Sequence, residues 1–264
     1  MDLINLFKYT KSTESEALYE KWLSFLTNSQ FDFTGLQSIS FLENCPVMTD
    51  LQGNKFKIDF IEDRTNYHKK KSNIKSELIS RALGGGRLGL RLLDLTAGLA
   101  IDSVFLAQLG FTVTALERNP LIFLALEQAL VQYQQQQIQK QLLSSDFPHL
   151  ALNFQYSSAQ DFLNATSPDF DVIYFDPMFP QKTKSALPRQ EMVFFKNLVG
   201  SDLDADQVLQ QALNVQGVKR VVVKRPLKAP CIGDVKPQHT LEGKLIRFDI
   251  YNKAIHTKKV SDEN

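Results

Sequence analysis

From Leu90 onward, short apolar runs alternate with helical stretches, and this rhythm limits the fold more than any other feature. The runs Leu90 to Leu95, Phe111 to Leu116, Ala151 to Tyr156, Asp171 to Phe175 and Lys219 to Val223 have the length and content of buried strands. Between them, Ile101 to Leu109, Pro120 to Tyr133, Ala159 to Asn164 and Val208 to Leu213 read as helices. Gly110 ends the first, and an Asn-Pro start opens the second. Gln134 to Gln137 reads as a solvated helix end, and Thr240 to Tyr251 as one or two closing strands. Strands that alternate with helices imply an α/β fold: a mostly parallel, doubly wound sheet covered on both faces. Ligands of such sheets sit at the carboxyl ends of the strands.

The first part of the chain lacks this rhythm. Glu14 to Leu26 has a helical pattern, and Lys55 to Ile61 alternates like a strand. Ser76 to Leu83 reads as a helix stopped by Gly84-Gly85-Gly86. Residues 1–75 are therefore expected to form a small N-terminal α+β domain, and 76–264 the main domain. The net charge of +1 gives no global pull toward a polyanion, so only local clusters can indicate one. Two distant cysteines, Cys45 and Cys231, lack metal-ligand spacing and fit free thiols in a reducing cytoplasm. The N-terminus lacks the pattern of a signal peptide, and no apolar run reaches the ~20 residues of a membrane span. A cytoplasmic protein with no membrane partner is expected.

The strand ends carry the chemistry. After the first strand, Leu92 to Asp102 reads L-L-D-L-T-A-G-L-A-I-D. Gly98, with small neighbours, lets a ligand lie against the backbone, and Asp94 is a candidate acceptor for a ligand ammonium or water. Glu117 ends the second strand, 19 residues after Gly98, where a carboxylate can accept both hydroxyls of a ribose. NAD and S-adenosylmethionine both carry that ribose. The missing G-x-G-x-x-G disfavours a dinucleotide oxidoreductase.

The fourth strand runs into Asp176-Pro177-Met178-Phe179, close to the [D/N]-P-P-[Y/F] corner of methyltransferases that act on exocyclic amines. An aryl amine is a poor nucleophile because its lone pair is delocalised into the ring. An Asp176 oxygen and the Pro177 carbonyl can each accept one of its N–H groups and aim the lone pair at a methyl donor. Phe179 offers a face for an unstacked base. A metal at Asp176 is not expected, because no His or Cys neighbours it.

Basic residues cluster nearby: Lys182, Lys184 and Arg189, then Lys219, Arg220, Lys224 and Arg225 around the fifth strand. Arg64 and Lys69 to Lys71 form a third cluster. Together they suggest a phosphate-lined groove, with Lys182, Lys184, Lys224 and Arg225 as the candidate RNA contacts.

D-L-T-A-G-L-A-x-D, L-E-R-N-P, D-P-M-F-P-x-x-x-K-S-A-L, L-V-G-x-D-L-D-A-D, K-R-V-V-V-K-R-P and R-F-D-I-Y together resemble the bacterial 16S ribosomal RNA (guanine-N2) methyltransferases of the RsmJ (YhiQ) type. The resemblance runs from about Leu92 to Tyr251. It implies a class I, Rossmann-like S-adenosylmethionine-dependent methyltransferase with a small N-terminal domain. It further implies methyl transfer to N2 of guanosine 1516 in 16S rRNA, free or in the small subunit. Carried over by motif, the cofactor contacts are Ile101 and Asp102, Glu117 and Arg118, Ser157 and Ser158 beside the adenine, and Asp176 beside the methyl. The family commonly reads G-L-G-R-D where this chain has Gly98-Leu99-Ala100-Ile101-Asp102, so Ala100 is expected in an ordinary backbone conformation and Ile101 lacks a guanidinium. Two rivals stay open on the residues alone: an amine methyltransferase of another nucleic acid, and a non-catalytic RNA-binding protein of the same fold.

Overall fold

The computed structural model describes residues 3–8, 13–29, 31–42, 44–60, 74–84, 89–141, 150–165, 169–178, 198 and 202–253. They form two sheets. The first is four-stranded, in the order β1-β2-β3-β4, from Phe7–Lys8 (β1), Leu36–Leu42 (β2), Cys45–Asp50 (β3) and Lys55–Phe56 (β4). Helix α1 (Thr13–Asn28) covers it, burying Trp22 and Leu26. The hairpin of β2 and β3 has no counterpart among the sequence expectations, and the strand expected over Lys55 to Ile61 shrinks to β4.

Helix α2 (Ile74–Ala82) leads into the second sheet. Its elements in chain order are β5 (Arg91–Asp94), α3 (Ile101–Gln108), β6 (Thr112–Glu117), α4 (Pro120–Gln141), β7 (Leu152–Tyr156), α5 (Ala159–Ala165), β8 (Val172–Phe175), α6 (Ala205–Asn214), β9 (Arg220–Pro226), β10 (His239–Glu242) and β11 (Ile246–Asn252). The spatial order is β10-β11-β9-β8-β5-β6-β7. Strands β7, β6, β5, β8 and β9 are parallel, and β11 and β10 close the sheet antiparallel. The chain leaves β5 toward β6 on one side and returns to β8 on the other. The carboxyl ends of β5 and β8 therefore flank the crevice where such sheets bind ligands.

Strand alternation divides the core. Leu92, Val113, Val172, Tyr174 and Val222 pack on one face with α3, α4 and the N-terminal sheet. Leu93, Leu116, Ile173, Phe175, Val221 and Val223 pack on the other with α6. The first cluster is continuous with the N-terminal residues, and Phe25 of α1 lies 5.6 Å from Phe123 and 5.1 Å from Tyr156 between ring centroids. The glutamine-rich run lies inside α4, which continues to Gln141, and Gln137 is buried rather than solvated. Among the described residues, no helix is long and apolar enough to cross a membrane.

Candidate active site

The turn after β5 is built on left-handed backbone. Gly98 has φ 55° and Ala100 φ 56°. Ala100 therefore departs from the ordinary conformation expected of it, and an alanine there carries roughly 1–2 kcal/mol of strain. It is also fully buried and precedes α3. Asp94 sits behind this turn, 1% exposed. Its Oδ1 accepts the Thr96 N–H at 2.9 Å, and its Oδ2 accepts the Ser103 hydroxyl. The sequence suggested a ligand contact for Asp94; its oxygens hold the turn and the start of α3, and it is not among the residues that line the cleft at the strand ends. Burial pushes its pKa up to about 7.

Glu117 ends β6, 5% exposed. Its Oε2 accepts the Gly98 N–H at 3.1 Å and its Oε1 the Asn119 N–H at 2.7 Å. Burial raises its pKa to about 7, against the lowering effect of those two backbone donors. Asn119 in turn caps α4, accepting the Leu121 and Ile122 N–H groups through Oδ1. Pro120 stands at the first helical position, as the Asn-Pro start required.

Asp176 follows β8. Its N–H donates to Thr96 Oγ1 at 2.8 Å, tying the two central strand ends together. Its Oδ2 lies 2.7 Å from Lys224 Nζ. Burial raises the Asp176 pKa, opposed by the Lys224 charge. Pro177 is buried. Phe179, Lys182, Lys184, Arg189, Arg64 and Lys69 to Lys71 lie outside the described residues.

These strand ends line one open cleft. Gly98, Glu117, Arg118, Ser157 and Asp176 all line it, so the structure brings these five together. Ser158 does not line it. It caps α5, with its hydroxyl accepting the Asp161 N–H at 3.0 Å and donating to Asp161 Oδ2 at 2.6 Å. Ile101 begins α3 with half its surface exposed, 51%. Asp102 turns behind the cleft, where its Oδ2 accepts from Tyr174 Oη and Lys224 Nζ, both at 2.6 Å.

Asp202 and Asp204 also line the cleft, and sequence reading missed them. Asp202 Oδ2 accepts the Met178 N–H at 2.6 Å, while the Asp202 N–H donates to the Met178 carbonyl at 3.0 Å. Arg118 bridges both acids, at 2.5 Å from Asp202 and 3.4 Å from Asp204. The D-L-D-A-D motif, Asp202 to Asp206, was visible in the sequence, but nothing local linked it to residues some 25 to 85 positions away.

Two expected RNA contacts are corrected. Lys224 is an internal cation between Asp102 and Asp176, its side chain 24% exposed. Burial alone would lower its pKa, but the two carboxylates outweigh that and raise it. Arg225, on the opposite side of the strand, is 2% exposed and donates to the Pro230 carbonyl at 2.5 Å. Lys219 and Arg220 lie at the start of β9, away from the cleft, where Lys219 pairs with Asp171 at 2.7 Å and Arg220 donates to Ala82 and Asn252.

The cleft offers a carboxylate hydrogen-bonded to a glycine turn, apolar walls in Leu95, Leu116, Phe175 and Val208, and more acids than bases. That donor set fits a ligand carrying a flat base, a ribose and a positive charge. With the parallel sheet around it, it defines the class of S-adenosylmethionine-dependent methyltransferases. A family model described as "Putative SAM-dependent methyltransferase" matches residues 37–253. The chain is 44% identical to ribosomal RNA small subunit methyltransferase J of Bdellovibrio bacteriovorus over 204 residues, 76% of each chain. It is 33% identical to the protein of that name in Shewanella sediminis over 256 residues, 95% of each. A solved SAM-dependent methyltransferase from Neisseria gonorrhoeae superposes with a TM-score of 0.64 at 26% identity, covering 93% of this chain and 96% of that one. The chain belongs to the ribosomal RNA small subunit methyltransferase J family, and its cofactor is S-adenosylmethionine.

Proposed function

We propose that the protein methylates the exocyclic N2 amine of a guanosine in 16S rRNA, guanosine 1516 by family resemblance, in the cytoplasm. The observation that carries this reading is the position of Asp176: on the wall of the cofactor cleft, with one oxygen tied to Lys224. Bound S-adenosylmethionine supplies an electrophilic methyl group on a sulfonium. The chain's part is to bring the amine to it in line. The second Asp176 oxygen accepts one amine N–H, and the Pro177 carbonyl accepts the other. The nitrogen lone pair is thereby drawn out of conjugation and aimed. The amine nitrogen forms the N–C bond as the S–C bond breaks and its electrons return to sulfur. The nitrogen then releases a proton to water. Glu117 holds the ribose hydroxyls, and Gly98, Arg118 and Ser157 complete the cofactor contacts, with Ile101 at the start of α3; Asp102 acts from behind the cleft through Lys224.

The Phe179 ring is the proposed stacking face for the target base, and Lys182 and Lys184 the proposed phosphate contacts. The residues 1–75 module is proposed as a separate small domain beside the catalytic one at 76–264. Among the described residues, no group of three or more His, Cys, Asp or Glu is placed to hold a metal. Labelled methyl transfer to 16S rRNA and to assembled small subunits, followed by nucleoside analysis, tests the reading. N2-methylguanosine as the labelled product supports it; label in adenine or cytosine, or none, rejects it.

A further inference from the structure

Strand β9 places a lysine inside the site rather than on its rim. The β8–β9 ladder pairs Phe175 with Val223, so the next step brings Lys224 level with Asp176. The Lys224 ammonium lies 2.7 Å from Asp176 Oδ2 and 2.6 Å from Asp102 Oδ2. Tyr174 Oη donates to the same Asp102 oxygen at 2.6 Å. Four elements thus meet: β8 through Tyr174 and through Asp176 just after it, α3 through Asp102, and β9 through Lys224, with Asp94 of β5 behind them. Asp202, from the segment before α6, adds a further negative charge that acts on Asp176.

We propose that Lys224 is a positioning residue for methyl transfer: its ammonium anchors the Asp176 carboxylate as an anion, gripping one oxygen and leaving the other for the amine. The proposal rests on the reading of Asp176 as the amine's acceptor. Its physical basis is charge balance. Asp102, behind the cleft, and Asp202, on its wall, both make Asp176 harder to ionise. A protonated Asp176 would lose half its capacity to accept and would no longer draw on the amine. A cation held at hydrogen-bond distance favours the ionised form by about 1–3 pH units. Asp102 gives that cation a second anchor, so it does not swing out with solvent. Tyr174 fixes Asp102 in turn. The chain Tyr174–Asp102–Lys224–Asp176 is a brace, and only its last member touches the substrate.

Lys224→Met, Lys224→Arg and Asp176→Asn separate this role from its rivals. In single turnover at saturating cofactor, Lys224→Met is expected to be about 100-fold slower at pH 7. Its acid limb moves to higher pH by about one unit or more, because Asp176 now ionises later. Lys224→Arg restores part of the rate and returns the limb. The salt dependence of RNA binding stays as in the parent, whereas a phosphate contact would reduce its slope by about 0.7. Without cofactor or RNA, carbon-13 titration of the aspartate carboxyls should show the Asp176 midpoint raised in Lys224→Met. A folded Lys224→Met variant with an unmoved limb and midpoint overturns the proposal. If Asp176→Asn is slow while Lys224→Met is normal, only the role of Lys224 fails. If Asp176→Asn keeps the full rate, the reading of Asp176 fails and the brace with it. Should Lys224→Met not fold, nitrogen-15 titration of the parent decides. A Lys224 ammonium that stays charged well above the ~10.4 of exposed lysines supports the proposal, and one that titrates with them refutes it.

Discussion

Glu117 and Asp176 are both carboxylates at the carboxyl ends of parallel strands, both line one cleft, and burial raises the pKa of both. They are held by opposite means. Two backbone N–H groups fix Glu117, which is 5% exposed. A charged side chain from the neighbouring strand fixes Asp176, whose own side chain is 36% exposed. Peptide donors cannot move without moving the turn, so Glu117 suits neutral hydroxyls that must be met the same way each time. An ammonium can support an anion while a reaction redistributes charge beside it, so Asp176 suits a reacting amine. The same functional group at equivalent strand ends is thus proposed to serve binding at one and chemistry at the other, according to what holds it.

The largest expected effect breaks the chemical half of the comparison. Asp176→Ala should lower single-turnover rate by about 10³-fold, and Asp176→Asn by less, because asparagine keeps a neutral acceptor. Cofactor affinity should change little in either. An Asn variant no better than Ala would show that the side-chain oxygen does not orient the amine. Breaking the binding half should give the reverse pattern. Glu117→Ala should weaken cofactor binding by about 1.5–3 kcal/mol in calorimetry. Unchanged affinity in a folded variant would remove Glu117 from the ribose.

The raised pKa of Glu117, about 7, sharpens the contrast through pH. Hydroxyls prefer the ionised carboxylate, so cofactor affinity should fall as pH drops below about 7, and binding near neutrality should release protons. Folding carries the opposite sign. The folded chain binds more protons than the unfolded one between the ordinary glutamate value of 4.5 and about 7. Stability of the cofactor-free protein should therefore decline as pH rises through that window. The decline should be shallower in Glu117→Gln, by melting temperature against pH. The smallest expected effect concerns the turn that presents Gly98. Ala100→Gly relieves the left-handed strain, offset by glycine's greater freedom when unfolded, for a net gain of under ~1 kcal/mol. A lower melting temperature would mean that the Ala100 methyl packing outweighs the strain.

The main sheet was legible because its strands are short apolar runs and its helices begin and end at Asn119-Pro120, Gly110 and similar local signals. Gly98, Glu117 and Asp176 were legible for the same reason: a strand end announces its own position. The hairpin of β2 and β3 was not. Pro46 lies within β3, where a proline argues against a strand, and it is tolerated because β4 pairs only with Met48 and Thr49. Lys224 and Arg225 read as a surface pair because both are charged. Their partners lie 122 residues back at Asp102 and across a loop at Pro230, and a sequence window sees neither. The role of Asp202 was hidden in the same way, by its 84-residue separation from Arg118. Ala100 misled because alanine favours negative φ everywhere that tertiary packing does not overrule it.

Asp176, at the edge of the cleft, is proposed to direct a methyl group to one guanosine of 16S rRNA. Mass mapping of 16S rRNA from a deletion strain, complemented with the parent or with Asp176→Ala, tests it most directly. One fragment is expected to lose a single methyl group on deletion, regain it with the parent and stay unmethylated with Asp176→Ala. An unaltered 16S map on deletion, or full restoration by Asp176→Ala, would contradict it.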